Sequence, residues 1–100
     1  MHVNKFKIKS KVWVYPGMAG WRFLSVPTKQ SNLIKKLFGG MAGGWGSLPV
    51  KVAIGKTNWK TSIFPDKKTA TYLLPLKAEV RKKESIKDGN MVNFIIEIKI

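Results

Sequence analysis

Residues 5–15 read KFKIKSKVWVY, and the alternation of polar and apolar residues along this stretch is the clearest sign of the fold class. A period of two that includes β-branched and aromatic side chains predicts a half-buried strand. Its two faces would carry, on one side, Phe6, Ile8, Ser10, Val12 and Val14 and, on the other, Lys5, Lys7, Lys9, Lys11, Trp13 and Tyr15. Pro16-Gly17 predicts the end of this strand.

The rest of the chain is predicted to form five more strands and two short helices. The strands are expected at 21–26, 48–54, 58–64, 70–74 and 91–100, and the helices at 32–38 and 76–83. In the first helix we expect Ser31 to be the N-cap and Leu33 and Leu37 to face inward, with Ile34 and Phe38 as further candidates for the inner face. The five glycines of GGMAGGWGS, residues 39–47, predict a loop or flap.

This number of short strands on one core predicts a mainly β protein. We expect a small six-stranded β-barrel, capped by the two short helices, as a single domain over residues 1–100. Closure into a barrel would also remove exposed sheet edges.

The charge balance is the most unusual feature of the composition. Nineteen Lys and Arg residues face five Asp and Glu residues, which gives a net charge of +14, and only Arg22 and Arg81 are arginines. Lysine acts as a hydrated point charge, whereas arginine is suited to bidentate reading of bases. The composition therefore favours sequence-independent contact with nucleic acid or another polyanion. The alternative is that the charge only keeps the protein soluble.

The absence of cysteine excludes a disulfide scaffold and a cysteine-based metal site. We expect neither a signal peptide nor a membrane span, because no apolar run is long enough. A cytoplasmic protein without a membrane partner is the expectation.

Two groups of residues are candidates for contact with nucleic acid. Lys5, Lys7, Lys9 and Lys11 would form a row about 20 Å long that runs into Trp13, which is typical of a groove for a single strand. The alternative is that these lysines protect an outer strand from aggregation. The second group is Lys77, Arg81 and Lys82 near the second helix. There the alternative is a buried Arg81 that organises the end of the barrel, with a neighbouring lysine paired to Glu79 or Glu84.

A pocket for a small molecule is the second hypothesis. Trp21, Trp45, Trp59 and Thr61 are its candidate residues, beneath the glycine-rich flap. The alternative is that these aromatic residues belong to the core. A third hypothesis is a homodimer or other interaction protein that uses exposed Met91 and Ile95 beside an open strand edge.

Catalytic and cofactor-binding residues are scarce. His2, the only histidine, lies at the terminus, and the five acidic residues are scattered. General acid–base chemistry and metal binding both require groups that converge. We therefore expect no catalytic residues, no metal and no cofactor, and a protein that is not an enzyme.

The region from residue 45 to residue 83 resembles a known family. The resemblance rests on Trp45-Gly46-Ser47, Ile54-Gly55, the run WKTSIFP at 59–65, and Leu74-Pro75-Leu76-Lys77 with Val80-Arg81. These residues are similar to those of the bacterial and archaeal family called domain of unknown function 1905. The resemblance implies a double-split β-barrel with short helical caps, and no definite activity.

Residues 74–98 also resemble the arm of AbrB-type swapped-hairpin transcription factors. Pro75, Val80-Arg81 and Gly89 match that pattern, while Asn90 stands where those proteins have Asp. This resemblance slightly favours DNA binding, which in AbrB-type proteins requires two intertwined chains.

Overall fold

Six strands and two helices make up the fold in the computed structural model, which describes residues 4–17 and 20–100. The elements are β1 (Lys5–Val14), β2 (Arg22–Ser25), α1 (Thr28–Phe38), β3 (Leu48–Ile54), β4 (Thr57–Asp66), β5 (Thr71–Pro75), α2 (Ala78–Lys83) and β6 (Met91–Ile98). Two 3-10 turns, Gly39–Met41 and Gly44–Gly46, lie in the predicted flap. His2 lies outside the described residues.

The strands form a closed antiparallel barrel in the order β1-β2-β5-β4-β3-β6. β1 pairs with two neighbouring strands along different parts of its length: residues 5–11 pair with β6, and residues 12–14 pair with β2. The prediction of a mainly β, six-stranded barrel with helical caps is confirmed.

The inside of the barrel is filled by nineteen buried residues, all of them apolar or aromatic. The alternation predicted for β1 is observed, since Phe6, Ile8 and Val12 are buried and the lysines between them are exposed. Val14, the last residue of β1, departs from the predicted inner face and is exposed, although it still pairs with Arg22 of β2. The core contains Val92, Phe94, Ile96 and Ile98 of β6, as the sequence predicts.

The start of α1 differs from the prediction. The helix begins at Thr28, directly after Pro27, so Ser31 is not its N-cap. Ser31 is buried within the helix, where its Oγ donates to the carbonyl oxygen of Val26 at 2.8 Å and accepts from the amide of Tyr72 at 3.0 Å. These two hydrogen bonds connect α1 to β5 and give the buried carbonyl of Val26 and amide of Tyr72 a hydrogen-bond partner.

Only part of the set of α1 residues expected to face inward does so. Ile34 is fully buried and Phe38 packs against the core, whereas Leu33 and Leu37 are 41% and 44% exposed. The prediction that Leu33 and Leu37 face inward is therefore wrong. Residues 31, 34 and 38 lie on one face of a helix, and that face covers the barrel.

The remaining differences are at the ends of elements. β4 continues through Pro65 to Asp66, α2 begins at Ala78, and β6 ends at Ile98. The flap is more ordered than a simple loop, since the Ser47 hydroxyl donates to the carbonyl oxygen of Gly44 at 3.0 Å. Trp45 has a φ of 64° there, a left-handed conformation that is uncommon for a side-chain-bearing residue.

Candidate nucleic-acid interface

The outer surface of four neighbouring strands carries six exposed lysines. We call this surface the lysine face; its residues are Lys5, Lys7, Lys9 and Lys11 of β1, Lys51 of β3 and Lys60 of β4. The strand register places Lys5 opposite Glu97 of β6, Glu97 opposite Lys51, and Lys51 opposite Lys60. The row predicted on β1 is thus one edge of a broader basic surface.

Lys51 and Lys60 were not among the predicted contact residues. The alternation within each strand places both on an outer face, but it does not say which strands are neighbours. Only the pairing of β3 with β6 brings Lys51 close to the lysines of β1. A sequence-based search for cations at alternate positions of every strand would have included both.

Glu97 is the one carboxylate among the residues through which β1, β6, β3 and β4 pair with one another. Its Oε2 accepts a hydrogen bond from Lys99 Nζ at 3.0 Å. That bond, with the charges of Lys99, Lys5 and Lys51, holds the pKa of Glu97 below its ordinary value. One anion therefore serves three cations, and the lysine face keeps a net positive charge.

Lys51 and Lys60 lie directly opposite each other across an antiparallel pair. Like charges in that arrangement destabilise a sheet by a few tenths to about 1 kcal/mol. Protection of a sheet edge does not account for this cost, because β3 has β4 on one side and β6 on the other. The arrangement favours a role for the charge itself.

A shallow depression of about 400 Å³ lies on the lysine face between β1 and β3, with Lys7, Lys9, Asn93 and Ile95 among its lining residues. Met91 and Ile95 are exposed there, as the dimer hypothesis assumed. That hypothesis also placed them beside an open strand edge. β6 instead pairs with β1 along residues 91–97 and with β3 along residues 95–98.

Four aromatic rings lie on the outside of the β1–β2 hairpin, at the end of the lysine row. Phe23 is central, with ring centroids 5.5 Å from Trp13, 5.5 Å from Tyr15 and 5.9 Å from Trp21. We call Trp13, Tyr15, Trp21 and Phe23 the aromatic cluster. Phe23 is only 8% exposed although it lies outside the core cluster, so the other rings bury it against the barrel wall.

Trp13 follows the lysines on the same face of β1, as predicted, but its ring is not free. It is half-buried, and its Nε1 donates to Ser25 Oγ at 2.9 Å. Trp21 is the exposed ring of the cluster, at 49%. It was assigned by the sequence to a pocket and not to this surface.

The second predicted basic group lies beside the aromatic cluster. Arg81 is half-buried rather than buried, and its guanidinium donates to the carbonyl oxygens of Leu76, at 3.2 Å, and Gly20, at 3.5 Å. It therefore ties α2 to the end of the β1–β2 hairpin, as the organising alternative expected. Lys77 and Lys82 are exposed.

Other charged groups in this region are paired. Lys83 lies 3.2 Å from Glu79, one of the predicted pairings. Arg22 forms two hydrogen bonds with Asp88, at 2.9 and 3.1 Å, and the arginine lowers the pKa of the Asp88 carboxyl. Trp21, Arg22, Lys77 and Arg81 line a cavity of about 410 Å³.

The residues predicted to share one pocket lie in three separate places. Trp21 is on the hairpin, Trp45 is on the flap with 94% of its surface exposed, and Trp59 and Thr61 face inward from β4 opposite Val52 and Val50. Trp59 packs against the core, and its buried Nε1 has no hydrogen-bond partner among the described residues. The structure does not bring these four residues together.

A different cavity lies under the flap. It measures about 540 Å³ between α1 and the β4–β5 turn, and Lys35, Trp45, Lys67 and Tyr72 are among its lining residues. Burial raises the pKa of the Tyr72 hydroxyl. Trp45 is the one predicted pocket residue that lines it.

Within 4–17 and 20–100, no three His, Asp or Glu side chains converge as a metal site would require. No helix in those ranges has the length and hydropathy to cross a bilayer.

These features define a class of protein: a small closed β-barrel with a filled interior, a basic outer sheet and short helical caps. The chain belongs to the family described as "Domain of unknown function (DUF1905)", which matches residues 9–96. The resemblance found in the sequence is thereby confirmed. No curated protein matches the chain. Residues 74–98 include the end of β5, α2 and β6 of this one barrel.

Proposed function

We propose that this protein is a non-enzymatic binding module that contacts the phosphates of nucleic acid, without sequence preference, through the lysine face. The observation that carries the proposal is the cross-strand row Lys5–Glu97–Lys51–Lys60, in which three lysines and one carboxylate follow one another and Lys60 lies opposite only another lysine. A cytoplasmic location belongs to the same proposal, since nucleic acid is available there.

The dimensions of the lysine face suit a polyanion. Same-face residues follow each other at about 6.7 Å along a strand, and neighbouring strands lie about 4.8 Å apart. The face is therefore roughly 20 Å long and about 15 Å wide, which is enough to follow several consecutive phosphates. Each lysine that neutralises a phosphate releases condensed counterions, and this release drives association.

The residue type supports phosphate contact rather than base reading. All six cations of the face are lysines, whose ammonium groups lack the planar fork that recognises guanine. A charge that served only solubility would gain nothing from placing Lys51 directly opposite Lys60.

The test is a salt titration with a matched pair of variants. Labelled single- and double-stranded DNA and RNA are titrated between about 50 and about 200 mM salt, where counterion release changes affinity steeply. The slope of log affinity against log salt should become shallower by about 0.7–0.9 for each lysine removed in Lys51→Gln/Lys60→Gln.

Lys67→Gln/Lys68→Gln is the control, because it removes the same charge from the exposed turn after β4. It should leave most of the slope intact. Absence of binding to every nucleic acid at low salt, or equal losses in the two double variants, would overturn the proposal.

A second candidate function is small-molecule binding under the flap. The candidate site is the cavity of about 540 Å³, which is lined by Trp45, Lys35 and Lys67. The observation that favours it is Trp45, whose exposed ring is held there at a left-handed backbone position. These residues suit a planar aromatic anion. The probe is anilinonaphthalene sulfonate, whose fluorescence should rise with the native protein and rise less with Trp45→Ala. An equal rise for both proteins would exclude Trp45 from such a site.

A further inference from the structure

The aromatic cluster continues the lysine face along one strand. The alternation of β1 continues from Lys5 to Trp13, so Lys11 and Trp13 succeed one another on the outer surface at a step of about 6.7 Å. Just beyond the strand, the ring of Tyr15 stacks on that of Trp13 with their centroids 5.8 Å apart. A ligand that follows the lysines along β1 therefore meets aromatic rings next. The register then leads to β2, because Trp13 lies opposite Phe23.

Trp21 is the ring that this arrangement presents to solvent. Its indole stacks on Phe23 with 24° between the ring planes, and 49% of the residue is exposed. Phe23 supports it from below, and Trp13 and Tyr15 support Phe23. The result is a rigid platform whose open face can receive another flat ring.

Cations flank this platform on both sides of β2. On one side is β1 with the lysine face, and on the other is β5, which leads to α2. Lys77 lines the same cavity as Trp21 and is exposed. Arg81 donates to the carbonyl oxygen of Gly20, which holds the residue before Trp21 in place. An anionic backbone that passes Trp21 thus has a cation on either side.

We infer that the ligand of this surface is single-stranded nucleic acid, with its phosphates on the lysine face and a base stacked on Trp21. The inference rests on the proposed function and adds the strand state and the stacking residue. A duplex keeps its bases stacked on one another, whereas a single strand can turn a base onto an aromatic ring. Stacking is tolerant of sequence, which agrees with a surface that lacks base-reading arginines.

The experiment separates stacking from charge. Three labelled probes of about 12 units are compared at one salt concentration: single-stranded oligothymidine, an abasic oligomer with the same number of phosphates, and duplex DNA. The native protein should bind the oligothymidine about 5- to 160-fold more tightly than the abasic oligomer, which is the range for one stacked base.

Variants assign that difference to one ring. Trp21→Ala should reduce the ratio of the two affinities to near one while binding to the abasic oligomer persists, and Trp21→Phe should restore part of the ratio. Trp45→Ala is the matched control, since it removes a more exposed indole from the flap and should leave the ratio unchanged. Circular dichroism confirms that each variant is folded.

The outcomes distinguish this inference from the function on which it rests. Equal binding of all three probes by the native protein would overturn the single-strand assignment and leave phosphate contact standing. Binding to none of them would overturn both. A loss of the ratio in Trp45→Ala as large as in Trp21→Ala would move the stacking site to the flap and contradict the assignment to Trp21.

Discussion

The lysine face and the aromatic cluster meet on strand β1, yet their charged residues differ in how many partners they have within the protein. Around the aromatic cluster three cations have internal partners: Arg22 has Asp88, Arg81 has two carbonyl oxygens, and Lys83 has Glu79. Lys77 and Lys82 are the exposed exceptions. On the lysine face, Glu97 is the single carboxylate for several lysines. Both regions contain several basic residues, so the number of cations does not distinguish them. The number of internal carboxylate and carbonyl partners for those cations does.

The difference indicates which charges are available to an external ligand. A cation that already has a carboxylate or carbonyl partner holds the fold together and must lose that partner before it can bind a phosphate. Lys60 lies opposite only Lys51, and Lys51 shares Glu97 with Lys99 and Lys5, so a phosphate that approaches this pair relieves their mutual repulsion. Substitutions in one region and not the other can therefore test whether the two regions really differ in this way.

The largest effect is expected from Phe23→Ala. Removal of this buried ring takes away the support of three other rings and should lower the free energy of unfolding by about 3 kcal/mol. Denaturant unfolding measures this change. The control is Phe64→Ala, which removes an exposed phenyl ring from β4 and should cost about 1 kcal/mol or less. Similar losses in the two variants would show that the aromatic cluster contributes little to stability.

A smaller effect of the opposite sign is expected from Lys60→Glu. The change replaces a like-charge pair with an opposite-charge pair across β3 and β4, and should raise the free energy of unfolding by about 0.2–1 kcal/mol. Affinity for nucleic acid should fall in the same variant. Lys68→Glu, in the turn after β4, is the control and should not give the same gain. A less stable Lys60→Glu protein would contradict the repulsion inferred for the lysine face.

The smallest effects concern acid stability. The pKa values of Asp88 and Glu97 are both below their ordinary values, so the stabilisation that each provides is present above its unfolded pKa and is lost as the pH falls through its folded pKa. The free energy of unfolding should therefore fall as the pH is lowered below about 4.

The two carboxylates can be tested one at a time. Asp88→Asn and Glu97→Gln should each flatten the dependence of the melting temperature on pH in that acid range. Glu97→Gln should also increase affinity for nucleic acid at neutral pH, because it removes the one carboxylate from the lysine face, while Asp88→Asn should increase it less. Equal increases in affinity would erase the distinction between the two regions.

The sequence predicted the barrel because local alternation is a strong signal. β1 and β6 show it in nearly every residue, and their buried positions are those expected from the pattern apart from Val14 and Ile100. The start of α1 could not be predicted from a local pattern in this way. Ser31 looks like a cap in its local sequence, but its hydroxyl is used by Val26 and by the distant Tyr72.

The candidate site was predictable only in part, for the same physical reason. The lysine row and Trp13 follow from one strand alone, whereas Lys51 and Lys60 join them through pairings between distant strands. Three tryptophans cannot be told apart in the sequence, yet they lie in different surroundings. Trp21 stacks on Phe23 at the surface, Trp45 lies exposed on the flap, and Trp59 packs against the core. The residue type is the same in all three cases, so their different positions become visible only once the strands are paired and the flap is placed.

The double pairing of β1 has a consequence for how the protein folds. Its residues 5–11 find their partner in β6, at the other end of the chain, so this part of the barrel closes only after the last strand has been synthesised. Contacts of such long sequence separation make folding slow. A polyanion that spans β1 and β3 would lie across β6 and so bridge the seam between β1 and β6. Because it would bind the folded barrel and not the unfolded chain, it would stabilise the barrel at this seam.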